Sequence, residues 1–380
     1  MSYLEQYLRA YAEVDLEAIG HNIAQVRQNI GDGVKICAVI KADAYGHGAV
    51  AVGRYLEKTV EYFAVATVDE AVELREADIT LPIVILSYVS PKNYGDVVRC
   101  DVTQTVYSYE TAALLSQEAA AQGKTAKVHV ALDTGMTRIG FVVSEESADE
   151  ILKISRLPHI ELEGMFTHFS CADLYDKTYS YRQMERYDRM CEWLDERGVV
   201  IPIKHMCNSA GIMEFDSHRF QMVRSGIITY GLYPSEEVNK AALDLRPAMR
   251  FCSHVVHVHT AEAGCGVGYG ATYVTERPTR IATVSVGYAD GYPRALSNQG
   301  RVLIHGQFAP VIGRVCMDQI MVDVSHIENV QVEDVVTLFG RDGDNCIPVE
   351  EPAELASSFN YEFVCGLSQR VKRVYDFKKL

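Results

Sequence analysis

No apolar run in this 380-residue chain approaches the ~18 residues of a membrane-spanning helix, so such a helix is excluded. Positive charge is in short supply: 36 lysines and arginines face 51 aspartates and glutamates, a formal charge of -15. That balance opposes nucleic-acid binding, which needs a concentrated basic surface. The ten cysteines include no C-x-x-C pair, which argues against a disulfide framework or zinc knuckle and for a reduced, cytoplasmic protein. The opening segment, Met1-Ser-Tyr-Leu-Glu-Gln-Tyr-Leu-Arg-Ala10, contains no signal-peptide core. Repeats and low-complexity tracts are absent. Tryptophan occurs once, at Trp193, in a helical stretch where it reads as core.

What is present is an ordinary globular composition, 48% hydrophobic and 23% charged, in a chain long enough for two domains. From residue 36 to about 230, short β-branched runs alternate with amphipathic stretches. Strands are expected at 36–40, 62–66, 83–86, 102–106, 127–132, 162–167, 203–206 and 222–224, with helices at 68–76, 108–122, 147–155 and 181–198. Eight strands in this pattern predict an α/β fold, an N-terminal (β/α)8 TIM-type barrel over residues 12–240. A doubly wound sheet is the alternative, but no switch point is marked. After Arg246-Pro247 the texture turns strand-rich, at 251–259, 280–286, 301–304, 311–315, 321–324 and 335–338. This predicts a C-terminal mostly-β domain over 241–380, joined by the alternating N-terminal residues 1–16.

Lys41 ends a buried strand and opens the turn Lys41-Ala-Asp-Ala-Tyr-Gly-His-Gly48. A lysine there is costly to desolvate unless it is used, and a Schiff base with a carbonyl cofactor is the use that fits. A lysine snorkelling on a barrel rim fits the local pattern equally well. Asp133-Thr-Gly-Met-Thr-Arg138, His168, Asn208-Ser209 and Arg224-Ser-Gly226 also fall at strand ends, where barrels keep their chemistry. Gly226 after the eighth strand suits phosphate approach, although an ordinary turn glycine reads the same way. Glycines at 264, 266, 268 and 270 imitate a dinucleotide fingerprint without its βαβ context, so they describe a tight loop presenting Tyr269. His257 and His259 share a strand face without a carboxylate or cysteine partner, and no metal site is expected.

With these motifs in place the chain resembles the alanine racemases, pyridoxal 5'-phosphate enzymes with a barrel followed by a β domain. The resemblance also rests on Ala12-Glu-Val-Asp-Leu16, Thr167-His-Phe169, Met222-Val-Arg-Ser-Gly226, Gly268-Tyr-Gly-Ala-Thr272, Gly287-Tyr-Ala-Asp-Gly291 and Gly313-Arg-Val-Cys-Met-Asp-Gln319. It implies that Lys41 carries the cofactor and that Lys41 and Tyr269 are the two acid/base groups on opposite faces of the substrate. Tyr269 would come from the other subunit of a homodimer with shared active sites. Tyr45, Ser209, Gly226 and Ile227 would hold the phosphate, Arg224 would face the pyridine nitrogen, and His168 would neighbour Arg224. Arg138 and the Met317 backbone N–H would bind the substrate carboxylate. Tyr288 and Asp318 would line the entrance. The implied activity is interconversion of L- and D-alanine, supplying D-alanine for peptidoglycan.

Two positions depart from the family pattern. Ala131 stands where many members carry a carbamylated lysine, so Arg138 would lack its negative partner and an anion or water should fill the gap. Gln369 replaces a common tyrosine, which makes the pocket wall more polar and brings in serine or broad-specificity racemisation as an alternative. A non-catalytic cofactor carrier, an amino-acid decarboxylase and a structural dimer module are rival readings. The Tyr269 and Met317-Asp318 motifs weigh against the carrier, the Gly268-Tyr-Gly-Ala-Thr272 and Arg314-Val-Cys-Met-Asp318 runs against the decarboxylase, and a structural module leaves the cluster of polar residues at the strand ends unexplained.

Overall fold

The structure, a computed structural model, describes residues 9–375. By internal contacts the chain forms two units. One holds Glu17–Ala44 and Gly48–Arg246; the other holds residues 9–16, Tyr45–His47 and 247–375. The expectation for residues 1–8 lies outside the described residues.

The first unit is a parallel sheet of eight main strands, with the two-residue strand Phe141–Val142 beside Ala126–Asp133 and helices between the strands. Its main strands are Lys35–Val39, Tyr62–Val65, Ile83–Ile85, Thr103–Val106, Ala126–Asp133, Ile160–Phe166, Ile203–His205 and Met222–Ser225. Met222–Ser225 pairs with Lys35–Val39. The remaining gap closes through Gln221 N–H to the Lys204 carbonyl at 3.0 Å and Arg224 N–H to the Cys207 carbonyl at 2.9 Å. All eight expected strands are present to within a residue or two, and a barrel results. Helices form where hydrophobic spacing and caps agree: Leu16–Ile30 buries Ile19, Ile23, Val26 and Ile30 along one face. Ser108 and Ser144 accept the Thr111 and Ser147 N–H groups, each at 3.2 Å, as N-caps. Trp193 is not core. It is half-buried in a cleft of about 630 Å3 with Asp133, Arg186 and Arg189. An indole on a helix face beside long arginines covers surface without being enclosed.

The second unit is β-rich. Met249–Ala261 is its longest strand, antiparallel to Ala10–Val14 and Val335–Asp342 in its first half and to Thr279–Val284 in its second. The register shift between Val255 and His257 marks the change of partner, as a bulge does. The expected strand at 311–315 makes only a bridge, Val311 to Val322. Its Val311 and Ile312 N–H groups reach the Gly300 and Met321 carbonyls at 2.8 and 2.9 Å, but side chains take the next donors, Asn298 Oδ1 from Gly313 N–H at 2.6 Å and Ser297 Oγ from Val315 N–H at 3.0 Å. Gln307–Pro310 pairs instead with Arg301–Ile304 through a His305-Gly306 turn with both φ positive, at 52° and 69°. Two short helices, Glu350–Leu355 and Asn360–Cys365, complete a region read as almost free of helix.

Gly46 has φ of +79°, and a Cβ there would meet the Val364 carbonyl oxygen at 2.2 Å. Gly46→Ala should cost at least about 2 kcal/mol, because left-handed strain adds to a backbone clash. A lowered urea midpoint checks this; an unchanged midpoint would contradict it.

Candidate active site

Lys41 follows the strand Lys35–Val39 and begins a left-handed turn. Ala42, Asp43 and Ala44 have φ of 52–53° and ψ of 48–50°. Each such L-residue costs about 1–2 kcal/mol, so the turn needs restraint from its surroundings. Glu70 supplies much of it: Oε1 accepts the Ala42 N–H at 2.7 Å and Oε2 the Ala66 N–H at 2.7 Å. The same carboxylate closes a capping box with Thr67 at the start of Val68–Glu76. Asp43 Oδ1 accepts the Ala49 N–H at 2.8 Å and pins the far side.

Lys41, Arg138, His168 and Arg224 line one cavity of about 200 Å3, together with Ala131 and Phe166. Among the described residues that line it there are three cations and no carboxylate. The cavity is therefore built for an anion. Arg224 is fully buried. Its guanidinium donates to the Thr167, His205 and Met206 carbonyls at 2.8, 3.3 and 3.0 Å and to His205 Nδ1 at 2.8 Å. Burial draws its pKa down to about 10, which still leaves it protonated at neutral pH. His168 is held well below the ordinary imidazole value by burial and then by Arg224, Arg138 and Lys41. Its Nε2 lies 3.3 Å from the Asn208 amide nitrogen, and that amide is oriented by the Gly211 N–H on its oxygen. Ser209 Oγ accepts the Gly226 N–H at 3.0 Å, with Ile227 opening the 3-10 turn Ile227–Tyr230.

The remaining sequence candidates belong to the other unit. Tyr45 is buried against the Tyr361 ring, 6.1 Å between centroids. Tyr269 is 72% exposed between Gly268 and Gly270, both with positive φ, on a loop lying against Arg314. Such exposure leaves the phenol free to serve a site outside its own unit. The Tyr288 and Ala289 N–H groups donate to the Cys316 and Met317 carbonyls, each at 3.0 Å, which joins the two loops that carry the Tyr288 and Met317-Asp318 candidates. Asp318 accepts from Arg370 at 2.7 Å, and Arg370 and Arg9 also pair with the fully buried Asp290.

Three residues of the barrel interior carry no motif in the sequence: His205, His129 and Glu163. His205 Nε2 lies 3.0 Å from His129 Nδ1, and His129 Nε2 lies 3.1 Å from Glu163 Oε2. Only His129 carries a sequence signal, a polar residue amid the apolar positions of Ala126–Asp133; Glu163 shares its strand with Glu161 and His205 ends the short strand Ile203–His205 beside Lys204.

Barrel and cavity together are those of an enzyme whose site, at the C-terminal ends of the strands, suits a small ligand bearing negative groups. The alanine racemase N-terminal domain matches residues 14–234, and the alanine racemase C-terminal domain matches residues 248–375. The alanine racemase of Desulforamulus reducens is 46% identical over 366 residues, 96% of this chain and 98% of the relative. The solved alanine racemase of Clostridium difficile 630 has a TM-score of 0.95 at 46% identity, covering 98% of this chain and 96% of its own. That of Bartonella henselae, solved with covalently bound pyridoxal phosphate, has a TM-score of 0.85 at 26% identity, covering 97% of this chain and 100% of its own. The chain belongs to the alanine racemase family and is an amino-acid racemase, an isomerase.

Two outcomes follow from this geometry. Glu70→Ala removes the acceptor of several N–H groups and should cost about 2 kcal/mol while loosening the Lys41 turn. Calorimetry and amide exchange at Ala42 test both effects; unchanged protection there would contradict the assignment. The second concerns acid. Burial would raise the Glu163 carboxyl, but hydrogen bonds from His129 and Lys127 outweigh it and bring it from 4.5 to about 2. Burial first, with neighbouring cations assisting, holds His129 and His205 below 6.5. All three bind fewer protons folded than unfolded, so stability rises with pH. It should begin to fall as pH drops through 6.5 and fall further between 4.5 and about 2. Urea midpoints at stepped pH measure this, and a flat profile from neutral to pH 4.5 would contradict it.

Proposed function

We propose that this protein interconverts L-alanine and D-alanine with pyridoxal 5'-phosphate, using Lys41 and Tyr269 on opposite faces of the substrate. The observation that carries the reading is the cation-lined, carboxylate-free cavity that Lys41 shares with Arg138, His168 and Arg224. It fits a cofactor with a phosphate and a phenolic oxygen, and a substrate with a carboxylate. When bound, that cofactor supplies an electron sink for the pair left behind when the substrate Cα–H bond breaks. Lys41 would hold it, with Ser209, Gly226, Ile227 and Tyr45 at the phosphate. Arg224, a donor only, would face the ring nitrogen, which then has to accept.

Inversion at Cα requires a proton to leave from one face and another to arrive at the opposite face. Lys41 Nζ serves one face and the Tyr269 phenolic oxygen the other. Arg138 and the Met317 backbone N–H orient the substrate carboxylate, while Tyr288 and Asp318 restrict the entrance. Tyr269 is exposed, as suits a phenol offered to the cavity of a second copy, and the working form is then a homodimer in the cytoplasm. With Ala131 buried at the cavity wall, a small anion or water would sit beside Arg138 in place of a charged side chain. D-alanine for peptidoglycan is the product such an enzyme supplies.

Gln369 favours a second reading. Its amide is exposed, and it offers a hydroxyl-bearing substrate a polar partner, so serine is the competing substrate. Chiral chromatography of D-alanine and D-serine at matched enzyme concentrations ranks the two; a faster serine reaction would replace alanine as the assignment. Tyr269→Phe should lower racemisation by about 10²-fold or more, the scale of a lost acid/base group. Retention of the full rate would remove Tyr269 from the reaction. Lys41→Ala should also abolish the visible absorbance of the covalently held cofactor, and persistence of that band would remove Lys41 as its attachment point.

A further inference from the structure

Glu163 lies in the barrel wall and lines no part of the cavity, yet a continuous hydrogen-bonded path joins it to Arg224. The direction of that path is fixed by chemistry at both ends. A guanidinium only donates, so the 2.8 Å contact to His205 Nδ1 requires a bare nitrogen there. Neutral His205 then carries its proton on Nε2 and donates to His129 Nδ1 at 3.0 Å. His129 carries its own on Nε2 and donates to Glu163 Oε2 at 3.1 Å. The far end agrees independently. Glu163 receives Lys127 and Tyr62 on Oε1 at 3.0 and 3.2 Å, and Thr103 and His129 on Oε2 at 3.2 and 3.1 Å. Four donors on one carboxyl group are what an ionised carboxylate accepts.

We propose that Glu163 is a positioning residue of the racemase: through His129 and His205 it fixes the orientation of the donor-only Arg224 guanidinium on the cavity wall. The proposal rests on the cofactor reading above, in which Arg224 faces a ring nitrogen that must accept. Protonating either imidazole would set two donors against each other, so the path takes up no proton without losing a bond. Reversing it would need a proton on Glu163 and a bare nitrogen on Arg224. Burial and Arg224 hold His205 neutral, and burial keeps His129 neutral against the pull of Glu163. Lys127, paired with Glu163, adds a positive charge that with Arg224 opposes protonation of His129, Arg138 lies near Arg224, and Glu161 lies near Lys127. The remaining groups near the path are the thiols of Cys37 and Cys207, pushed up by burial to about 12 and about 11, and the Tyr187 and Tyr62 phenols, raised chiefly by burial. None of these supplies a competing charge at neutral pH.

Space for the path is built in. Gly164 stands opposite His129 in register, and a Cβ there would fall 2.6 Å from His129 Nε2. Stability alone does not explain the arrangement, since charged groups buried in a core are often matched or bettered by apolar side chains of similar volume. A barrel interior is ordinarily filled by branched apolar residues.

The test uses the full-length holoenzyme labelled with nitrogen-15 histidine, resonances being assigned with His129→Gln and His205→Gln. In the wild type both rings should be neutral with the proton on Nε2, unchanged from about pH 5 to 8, where a free imidazole titrates. Glu163→Gln can turn a donor toward His129, so the Nδ1–H form should appear at His129 or His205. The same variant should lower kcat about tenfold with KM little changed, the scale of a lost outer partner, and Glu163→Asp should recover part of the loss. A proton on Nδ1 of either wild-type ring, a cationic ring in that range, or Glu163→Gln with wild-type rings and kcat would each overturn the proposal. Should Glu163→Gln not fold, the wild-type ring states decide alone. Correct ring states in a protein that does not racemise amino acids would sink the cofactor reading and leave the path standing.

Discussion

The guanidinium of Arg224, buried in the wall of a parallel barrel, is the constraint on which the rest of the site depends. A charge in that position is tolerated only if every donor finds an acceptor. Here the acceptors are carbonyls of Thr167, His205 and Met206, at the ends of two neighbouring strands, with His168 Nδ1 at 3.4 Å and, closer, the His205 imidazole at 2.8 Å. Those carbonyls are available because strand ends leave backbone acceptors unpaired, the same circumstance that puts barrel chemistry at this face. The imidazole then demands its own partner, and the demand passes inward until it meets an ionised carboxylate. A polar thread through an otherwise apolar core is the consequence.

The opposite wall of the cavity solves a different problem. Lys41 must stand at the cavity with a fixed approach, and the chain achieves this with a left-handed turn, which alanine, aspartate and tyrosine do not favour. The strain is sustained by carboxylates outside the cavity, Glu70 on one flank and Asp43 on the other. Negative charge thus supports the site from behind while the cavity itself stays cationic. A phosphate or carboxylate group entering that cavity would find attraction in front and rigidity behind.

The barrel was legible because its strands are β-branched runs separated by helices with serine or threonine caps, and both signals act over a few residues. Lys41, Arg138, His168 and Arg224 were legible as a group because strand ends converge on one face. The failures share a cause. Residues 311–315 have strand composition, but Asn298 and Ser297 side chains take two of their N–H groups, and no local pattern announces a partner some 15 residues away. The left-handed turn has no glycine until Gly46. Glu163, His129 and His205 sit on three different strands, so their alignment exists only after register is set. Trp193 followed helical periodicity correctly onto a helix, yet its face opens on a cleft.

The central claim is that Arg224 keeps all its protons and so requires the cofactor ring nitrogen to accept. Neutron diffraction from a deuterated crystal of the cofactor-loaded protein locates those nuclei directly. A fully deuterated guanidinium facing a ring nitrogen that bears no deuterium is the predicted result. Deuterium on the ring nitrogen, or a guanidinium turned toward some other group, would contradict it.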